Sequence, residues 1–400
     1  MKHIGAQPAK SEKKSLLVEI ERILPGGVGL AHAEGLTLFV PFAAPGDQLR
    51  VRVDRVRGKV GFATIREIVS PSPVRVEPPC PYFGRCGGCD FQQLSYQAQL
   101  DSKVEIIRDC LHRIAHLETF PEIRVYPAED PWQYRSRAVW QFDSTRGRLG
   151  YFEAGSHRVC DVEACPVLAP ELEQLLKEVR EQIRRGSLET VPAEIGVVAG
   201  DLASISVAPA FDDLVTAEVS RKIGTENYTY NAEAFFQINH SLLSSLIGAA
   251  VPSVAGRLAF DLYCGVGLFT LPLARRFERV VGIESNSVAA RFARRNLKRA
   301  GLLNATITTD RVARSLQTEW NVEETIDILL LDPPRSGAEA GAMDEIVRLH
   351  PKQISYVSCD PATLARDLET LITGGYTLDS IAMFDMFPQT HHVETLVVLS

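Results

Sequence analysis

From about Asn231 to the C-terminal serine, short apolar β-prone runs alternate with helical patterns, and this alternation constrains the fold more than any other feature of the chain. Runs such as Leu258-Ala259-Phe260-Asp261-Leu262 and Ile328-Leu329-Leu330-Leu331 are too apolar to face water. They belong inside a parallel sheet joined by helical crossovers, a Rossmann-like α/β layer. Such a sheet collects its chemistry outside the carboxyl ends of its strands, so the residues that end each run define the candidate site.

The first run opens into Tyr263-Cys264-Gly265-Val266-Gly267-Leu268-Phe269 and then a helix. A glycine-rich turn at this point binds a nucleotide-like cofactor. Thr270 stands where a pyrophosphate fingerprint needs its third glycine, which disfavours a dinucleotide. Asp261, just before the loop, favours a cofactor with a cationic amino-acid end, as in S-adenosyl-L-methionine. Glu284 ends the next strand, where an acid clasps ribose hydroxyls. Asp310 follows the run from Ala305 and is a candidate for an adenine amine. Asp332-Pro333-Pro334-Arg335 builds a rigid wall beside cofactor and target base. Amino-methylating enzymes place an aromatic residue after the two prolines; here the position holds Arg335.

The stretch Ser355-Tyr356-Val357-Ser358-Cys359 ends at a thiol and is followed by Asp360, Pro361 and a helical pattern through Leu371. Asp360 is a natural N-cap and Pro361 a natural first helical residue. Cys359 is therefore expected beside the positive end of a helix, where a thiol becomes a thiolate. A thiolate beside a methyl donor has a specific use. Adding it to C6 of uracil turns the ring into an enolate whose C5 attacks a methyl sulfonium, and a base must then remove the C5 proton so that sulfur leaves. Glu394 is the candidate base, since in a strand it shares its face with Leu396 and Val398 and its pKa should be raised.

The preceding chain reads as two further units. Residues 15–69 carry short alternating runs split by Pro25-Gly26-Gly27, Pro45-Gly46-Asp47 and Arg57-Gly58, and five such strands close as a barrel of the OB type. Arg50, Arg52, Arg55, Arg57 and Lys59 stand there against Asp54, either a phosphate-tracking surface or a solvated strand face. Prolines from Pro71 to Pro81 then break regular structure, and Cys80, Cys86 and Cys89 follow in a glycine-rich loop. Three thiolates need a fourth, with Cys165 preferred over Cys160, for either tetrahedral zinc or a cubane cluster. The five-then-two spacing with a distant Cys-Pro favours iron and sulfur. Gln92 to Leu117 reads as an amphipathic helix, with Cys110 on its core side, and 169–186 as another. Between them, Arg135, Arg137, Arg146, Arg148 and Arg158 interleave with Trp132, Tyr134, Trp140, Phe142, Tyr151 and Phe152, a pattern suited to unstacked RNA bases.

Eight cysteines without an apolar leader after the basic N-terminus point to metal or catalysis rather than disulfides, and to the cytoplasm. No apolar run is long enough for a membrane span. The net charge of -7 opposes indiscriminate nucleic-acid binding. Nothing demands more than a monomer.

Taken together these residues resemble the RNA uracil-5 methyltransferase family, and within it the bacterial 23S rRNA branch. Phe39-Val40-Pro41 with Pro45-Gly46-Asp47 resembles a TRAM domain, Phe236-Gln237-Ile238-Asn239 a donor-contacting segment, and Ser358-Cys359-Asp360-Pro361 the nucleophile motif. The resemblance implies a class I methyltransferase fold with an OB-like TRAM barrel over residues 10–69, a central α+β domain over 70–228 and the catalytic domain over 229–400. It implies that Gln237, Tyr263, Glu284 and Asp332 contact S-adenosyl-L-methionine, that Cys80, Cys86, Cys89 and Cys165 hold a four-iron, four-sulfur (4Fe-4S) cluster, and that the segment Asp385-Met386-Phe387-Pro388 through Glu394 carries the base. Leu268 departs from the asparagine that relatives often have. A TRAM domain with a cluster implies ribosomal rather than transfer RNA. The competing classes are an amino-methyltransferase built on Asp332-Pro333-Pro334 and a non-catalytic RNA-binding ribosome-assembly protein.

Overall fold

The computed structural model describes residues 15–320 and 324–400. The basic stretch Met1 to Lys14 lies outside the described residues, as does the first part of the domain expected from residue 10.

The parallel sheet expected from the apolar runs forms. Its spatial order is Ala305–Thr308, Phe277–Ile283, Gly256–Leu262, Ile328–Leu331, Ile354–Ser358, Glu394–Leu399, Leu378–Phe384 and Ile123–Tyr126. The first five are parallel; Glu394–Leu399 runs antiparallel to both neighbours. Strand order reverses at Gly256–Leu262, and the adjoining loops open a crevice there. Leu329, Leu330, Leu331, Tyr356 and Val357 are fully buried because helices cover both faces.

The eighth strand comes from far upstream: Ile123–Tyr126 pairs in parallel with Leu378–Phe384. The helix before it, Tyr96–Arg113, starts at Ser95, whose hydroxyl accepts from the Ala98 amide, and buries Leu100, Ile107, Cys110 and Leu111 in the same core as Leu364, Leu368 and Leu371. A boundary at 228/229 cuts the strand Glu226–Tyr230, which pairs with Val219–Ile223. That hairpin packs on the catalytic side, where the Asn296 side chain bonds both backbone groups of Thr229. The change of sequence pattern near Asn231 marks where alternation begins, whereas hydrophobic contact begins earlier.

The N-terminal unit has six strands rather than five: Ser15–Glu19, Arg22–Leu24, Val28–Ala33, Leu36–Pro41, Gln48–Arg57 and Val60–Ser70. Its two outer strands, Ser15–Glu19 and Arg22–Leu24, are separated in sequence by Ile20 and Glu21 alone, so the sheet closes through one bent segment. The central unit is a five-stranded sheet of Val159–Asp161, Arg148–Phe152, Arg137–Asp143, Glu194–Ala199 and Ile205–Ala208, backed by the helix Pro170–Arg185. None of the helices among the described residues is long and apolar enough to cross a membrane.

Candidate active site

The strand Ile354–Ser358 delivers Cys359, and the helix Pro361–Thr373 begins two residues later. Asp360 caps that helix as expected, accepting from the amides of Ala362 at 3.0 Å and Thr363 at 2.9 Å. The consequence for the thiol is the opposite of the one expected. Those amides are spent on a carboxylate, so the helix start presents no free positive end to sulfur. Burial pushes the Cys359 thiol up to about 12, the carboxyls of Glu394, Asp332 and Asp360 push in the same direction, and Arg335 alone opposes them. The surroundings of the ligand-free site thus favour the protonated thiol.

Antiparallel pairing brings the base near it. The register ends at Ser358 with Thr395, Cys359 and Glu394 are the next residues beyond it on the two segments, and both line the same cleft, where the Glu394 carboxyl acts on the thiol. Glu394 is 1% exposed and its Oε1 has no hydrogen-bond partner. Burial and the neighbouring Asp332 hold its carboxyl well above the usual carboxylate range, against the pull of Arg335. Asp332, where the next strand ends, is raised to about 7 by burial, while the Gln237 amide donates to it at 3.3 Å and acts to lower it. Three acidic groups thus converge in a space with one cation, a state that a ligand bearing positive charge would relieve.

Cys359, Glu394, Asp332, Gln237, Tyr263, Gly265 and Glu284 all line one cleft of about 780 Å³, a volume in the range of small-ligand sites. The loop Tyr263–Phe269 forms its floor. Tyr263 takes the left-handed conformation at φ 61°, strained for a residue with a Cβ, and its hydroxyl accepts from the Glu339 amide at 3.0 Å. Gly265 and Gly267 also have positive φ, and Gly267 packs beneath the loop against Leu271 and Ala293. Glu284 accepts from the Gly265 amide at 2.9 Å and from the Asn286 amide at 2.6 Å, which ties the second strand end to the loop. Leu268 faces the cleft.

Two acids lie elsewhere. Asp310 is absent from the cleft lining; its carboxylate accepts from the Arg311 amide and pairs with Arg314 at 3.5 Å. Asp261 is fully buried behind the loop, accepting from the Thr270 hydroxyl, and burial raises it to about 7. Asp310 follows its run as Glu284 does, whereas Asp261 stands one residue inside its strand, and position in sequence alone does not say which way a side chain turns. Phe235, Phe236, Phe269 and Phe387 form aromatic walls; the last three stand in the sequence motifs with no wall role given to them, and Phe235 in none, because Phe is first of all a core residue.

The cysteines divide cleanly. Cys80, Cys86, Cys89 and Cys165 line a single cavity with Tyr82, Phe83, Tyr151 and Arg135, and Cys160 does not. Instead the Cys160 sulfur accepts from the Arg85 guanidinium at 3.2 Å. The loop is pinned to the strand Arg148–Phe152: the Gly87 amide donates to Phe152 and the Ala154 amide to Arg85, both at 2.9 Å. Burial raises the Cys86 thiol to about 11 and that of Cys89 to about 12, with Arg135 opposing at Cys89 and Cys165. Among the described residues no three His, Cys, Asp or Glu side chains are arranged around a point that a single metal ion would take.

The two surfaces read as RNA-facing are largely accounted for within the protein. Arg50 pairs with Glu67 across the sheet at 2.9 Å, Arg52 with Asp54 at 2.6 Å, and Arg55 lies over the Phe62 ring. Trp140 and Tyr134 are core, Arg135 faces the cysteines, and Arg137 donates to the carbonyls of Ala232 and Ala234. Phe152 remains exposed beside Arg148 and Arg158, the last paired with Glu153.

Comparison with known proteins agrees with this geometry. Residues 211–400 match the family model described as tRNA (Uracil-5-)-methyltransferase, and residues 16–74 the TRAM domain of tRNA (uracil(54)-C(5))-methyltransferase. The 23S rRNA (uracil(1939)-C(5))-methyltransferase RlmD of Pectobacterium atrosepticum is 34% identical, the match covering 96% of this chain and 93% of that one. RlmD of Edwardsiella ictaluri is 33% identical over 96% of each. Among solved structures, the tRNA (uracil-54, C5)-methyltransferase of Pyrococcus abyssi, in complex with S-adenosyl-L-homocysteine, superposes with a TM-score of 0.75 at 26% identity, covering 96% of this chain and all of that one. The likeness extends over nearly the whole length, and the chain belongs to the RNA uracil-C5 methyltransferase family.

Proposed function

We propose that the cleft transfers a methyl group from S-adenosyl-L-methionine to C5 of a uridine in RNA, with Cys359 as nucleophile and Glu394 as the base. The observation that carries this is one cleft that holds, beside the glycine-rich loop, a thiol and a buried carboxyl with an unpartnered oxygen, each just beyond the last residue pair that joins two adjacent strands. Gln237, Tyr263, Gly265, Gly267, Glu284 and Asp332 are the residues that would hold the donor. When bound, the donor supplies an electrophilic methyl group on a sulfonium. Its positive charge favours the ionised forms of Asp332, Glu394 and Cys359, so the site is poised for activation by the substrate it must bind. The Cys359 thiolate adds to C6 of the ring, and the resulting enolate carries electron density to C5, which would take the methyl group as its bond to the donor sulfur breaks, the electron pair staying on sulfur as a neutral thioether. Glu394 then accepts the C5 proton; the C5–H electron pair forms the C5=C6 bond and the Cys359–C6 bond breaks, restoring the thiolate.

Cys80, Cys86, Cys89 and Cys165 would hold a 4Fe-4S cluster. Four sulfurs on one cavity suit a complete ligand set, and Arg135 beside them, with a buried Nε lacking a partner, suits the negative charge of a thiolate-bound cluster. With all four positions filled the cluster would be structural. Iron and sulfide assayed in protein purified without air test this, and zinc in equal molar amount without iron would overturn it.

The substrate class follows the relatives. RlmD sequences named for 23S rRNA match at 34% identity over nearly full length, against 26% for the enzyme named for tRNA, which favours 23S rRNA. We infer a cytoplasmic enzyme acting as a monomer, since cleft, cysteine cavity and barrel are all built by one chain. Mass mapping of 5-methyluridine in a deletion strain tests the assignment: loss from 23S rRNA is expected, and loss from tRNA alone would favour the transfer-RNA reading. A covalent adduct with 5-fluorouridine RNA is expected for the wild-type protein and not for Cys359→Ala.

A further inference from the structure

The base sits where the chain returns from a turn. Phe384 and Glu394 are register partners in adjacent antiparallel strands, so residues 385–393 form a closed connection whose mouth is the base. Almost everything that holds this connection comes from the upstream part of the chain. Lys103 donates to Asp385 at 2.5 Å and to the Phe387 carbonyl at 3.0 Å, and the side chains of Lys103 and Asp385 are both fully buried. The Tyr96 hydroxyl donates to the other oxygen of Asp385 at 2.8 Å while accepting from the Ala128 amide. Gln99 grips Gln389 twice, accepting from its amide at 2.9 Å and donating to its side-chain oxygen at 3.0 Å, which holds Gln389 in the left-handed region at φ 67°. Tyr134 donates to the Pro388 carbonyl, and Asp90, next to Cys89, accepts from the amide and ring of His391. Against this density of anchors, one carboxyl oxygen of Glu394 has no partner at all.

We propose that Lys103 is a positioning residue for the base: by fixing Asp385 and Phe387 it sets where Glu394 stands relative to C5, and so governs release of the methylated RNA rather than attack by Cys359. The inference rests on Glu394 as the proton acceptor. Lys103 fastens two points of the connection that returns into Glu394, whereas its helix meets the helix after Cys359 through apolar side chains that a change at Lys103 leaves in place. Displacing a base by even an ångström slows its proton transfer steeply. In that state the C5 proton stays, the C6–sulfur bond cannot break, and the methylated adduct accumulates on ordinary uridine RNA.

The test is a single-turnover assay with ordinary uridine RNA and S-adenosyl-L-methionine, quenched in denaturant, with covalent protein–RNA adduct and released methylated RNA measured separately. For Lys103→Met, release is expected to fall about tenfold or more relative to adduct formation, with adduct accumulating as in Glu394→Gln. Tyr96→Phe, which removes one bond to the same carboxylate, should show the same split more weakly. If Lys103→Met does not fold, Lys103→Met/Asp385→Asn removes the buried charges as a pair and is read in the same way. Equal loss of formation and release in these variants, tracking their melting temperatures, or no change in either, would overturn the proposal while Glu394→Gln still traps adduct. Failure of Glu394→Gln itself to trap adduct would overturn the base assignment, and the role of Lys103 with it.

Discussion

Two half-buried cysteine sites stand in surroundings that differ in sign. Around Cys359 the neighbours are carboxyls, Glu394, Asp332 and Asp360, with Arg335 the opposing cation; around Cys86, Cys89 and Cys165 the neighbours are other sulfurs, apolar walls and Arg135. Burial raises the thiols in both. A site of acids asks for a cation, which a sulfonium donor supplies. A site of converging sulfurs beside a guanidinium asks for something that takes up their negative charge. In the roles proposed for them, the same side chain would serve catalysis or ligation according to what stands beside it.

Exchanging the effects of the two sites is the sharpest way to break this comparison. Cys359→Ala is expected to lower methyl transfer by roughly 10⁴-fold or more without changing iron content, because no other group near C6 can form the adduct. Cys89→Ser should do the reverse, losing iron and sulfide and lowering the melting temperature by on the order of 10 °C. Activity in the first variant or an unchanged iron content in the second would erase the distinction.

The acidic surroundings of Cys359 also set its pH dependence. With the thiol pushed up to about 12, its thiolate fraction rises about tenfold for each pH unit between 6 and 9. Iodoacetamide labelling of Cys359 in the ligand-free protein, followed by peptide mass mapping, should rise accordingly. A plateau near pH 7 would mean that the helix start dominates after all.

A smaller effect concerns Asp261. Its carboxyl is raised to about 7 when folded, above its ordinary value near 4, so the folded chain holds a proton there that the unfolded chain releases. Its contribution to stability is complete below about pH 4 and is lost as pH rises through about 7. Asp261→Asn should therefore raise the melting temperature by about 2–4 °C at pH 8 and leave it nearly unchanged at pH 4. Equal shifts at both pH values would show that the carboxyl is not the cause. Least of all should change at the barrel: Arg50→Gln, which only opens an exposed pair with Glu67, is expected to alter RNA affinity less than about twofold.

Much of the site was legible before the structure. Apolar runs that end in Glu284, Asp332 and Cys359 have to place those residues on one sheet edge, since parallel strands with right-handed crossovers leave all their carboxyl ends on the same side. Cysteine spacing with a distant Cys-Pro points to Cys165 over Cys160, and it is Cys165 that lines one cavity with Cys80, Cys86 and Cys89. What misled was local in each case. Asp360 was read as a cap that leaves a positive helix end for sulfur, although a cap of that kind neutralises the end it satisfies. Arg135 and its aromatic neighbours were read as an RNA surface, because alternation of Arg with rings looks the same whether the rings face solvent or a core. Arg50 looked unopposed because Glu67 is 17 residues away in sequence and opposite it in the sheet.

By itself, then, the sequence determined the alternation of strands and helices, the glycine-rich loop after the first apolar run, the helix start at Asp360 and the cysteine-bearing loop upstream. Those are consequences of periodicity and of short-range turn chemistry, which act within a few residues. Only the tertiary structure decided that Ile123–Tyr126 completes the catalytic sheet, that Lys103 reaches Asp385, that Asp310 turns away and that the surroundings of Cys359 favour the thiol. These depend on burial and on charges brought together from distant parts of the chain, and neither exists until the chain has folded.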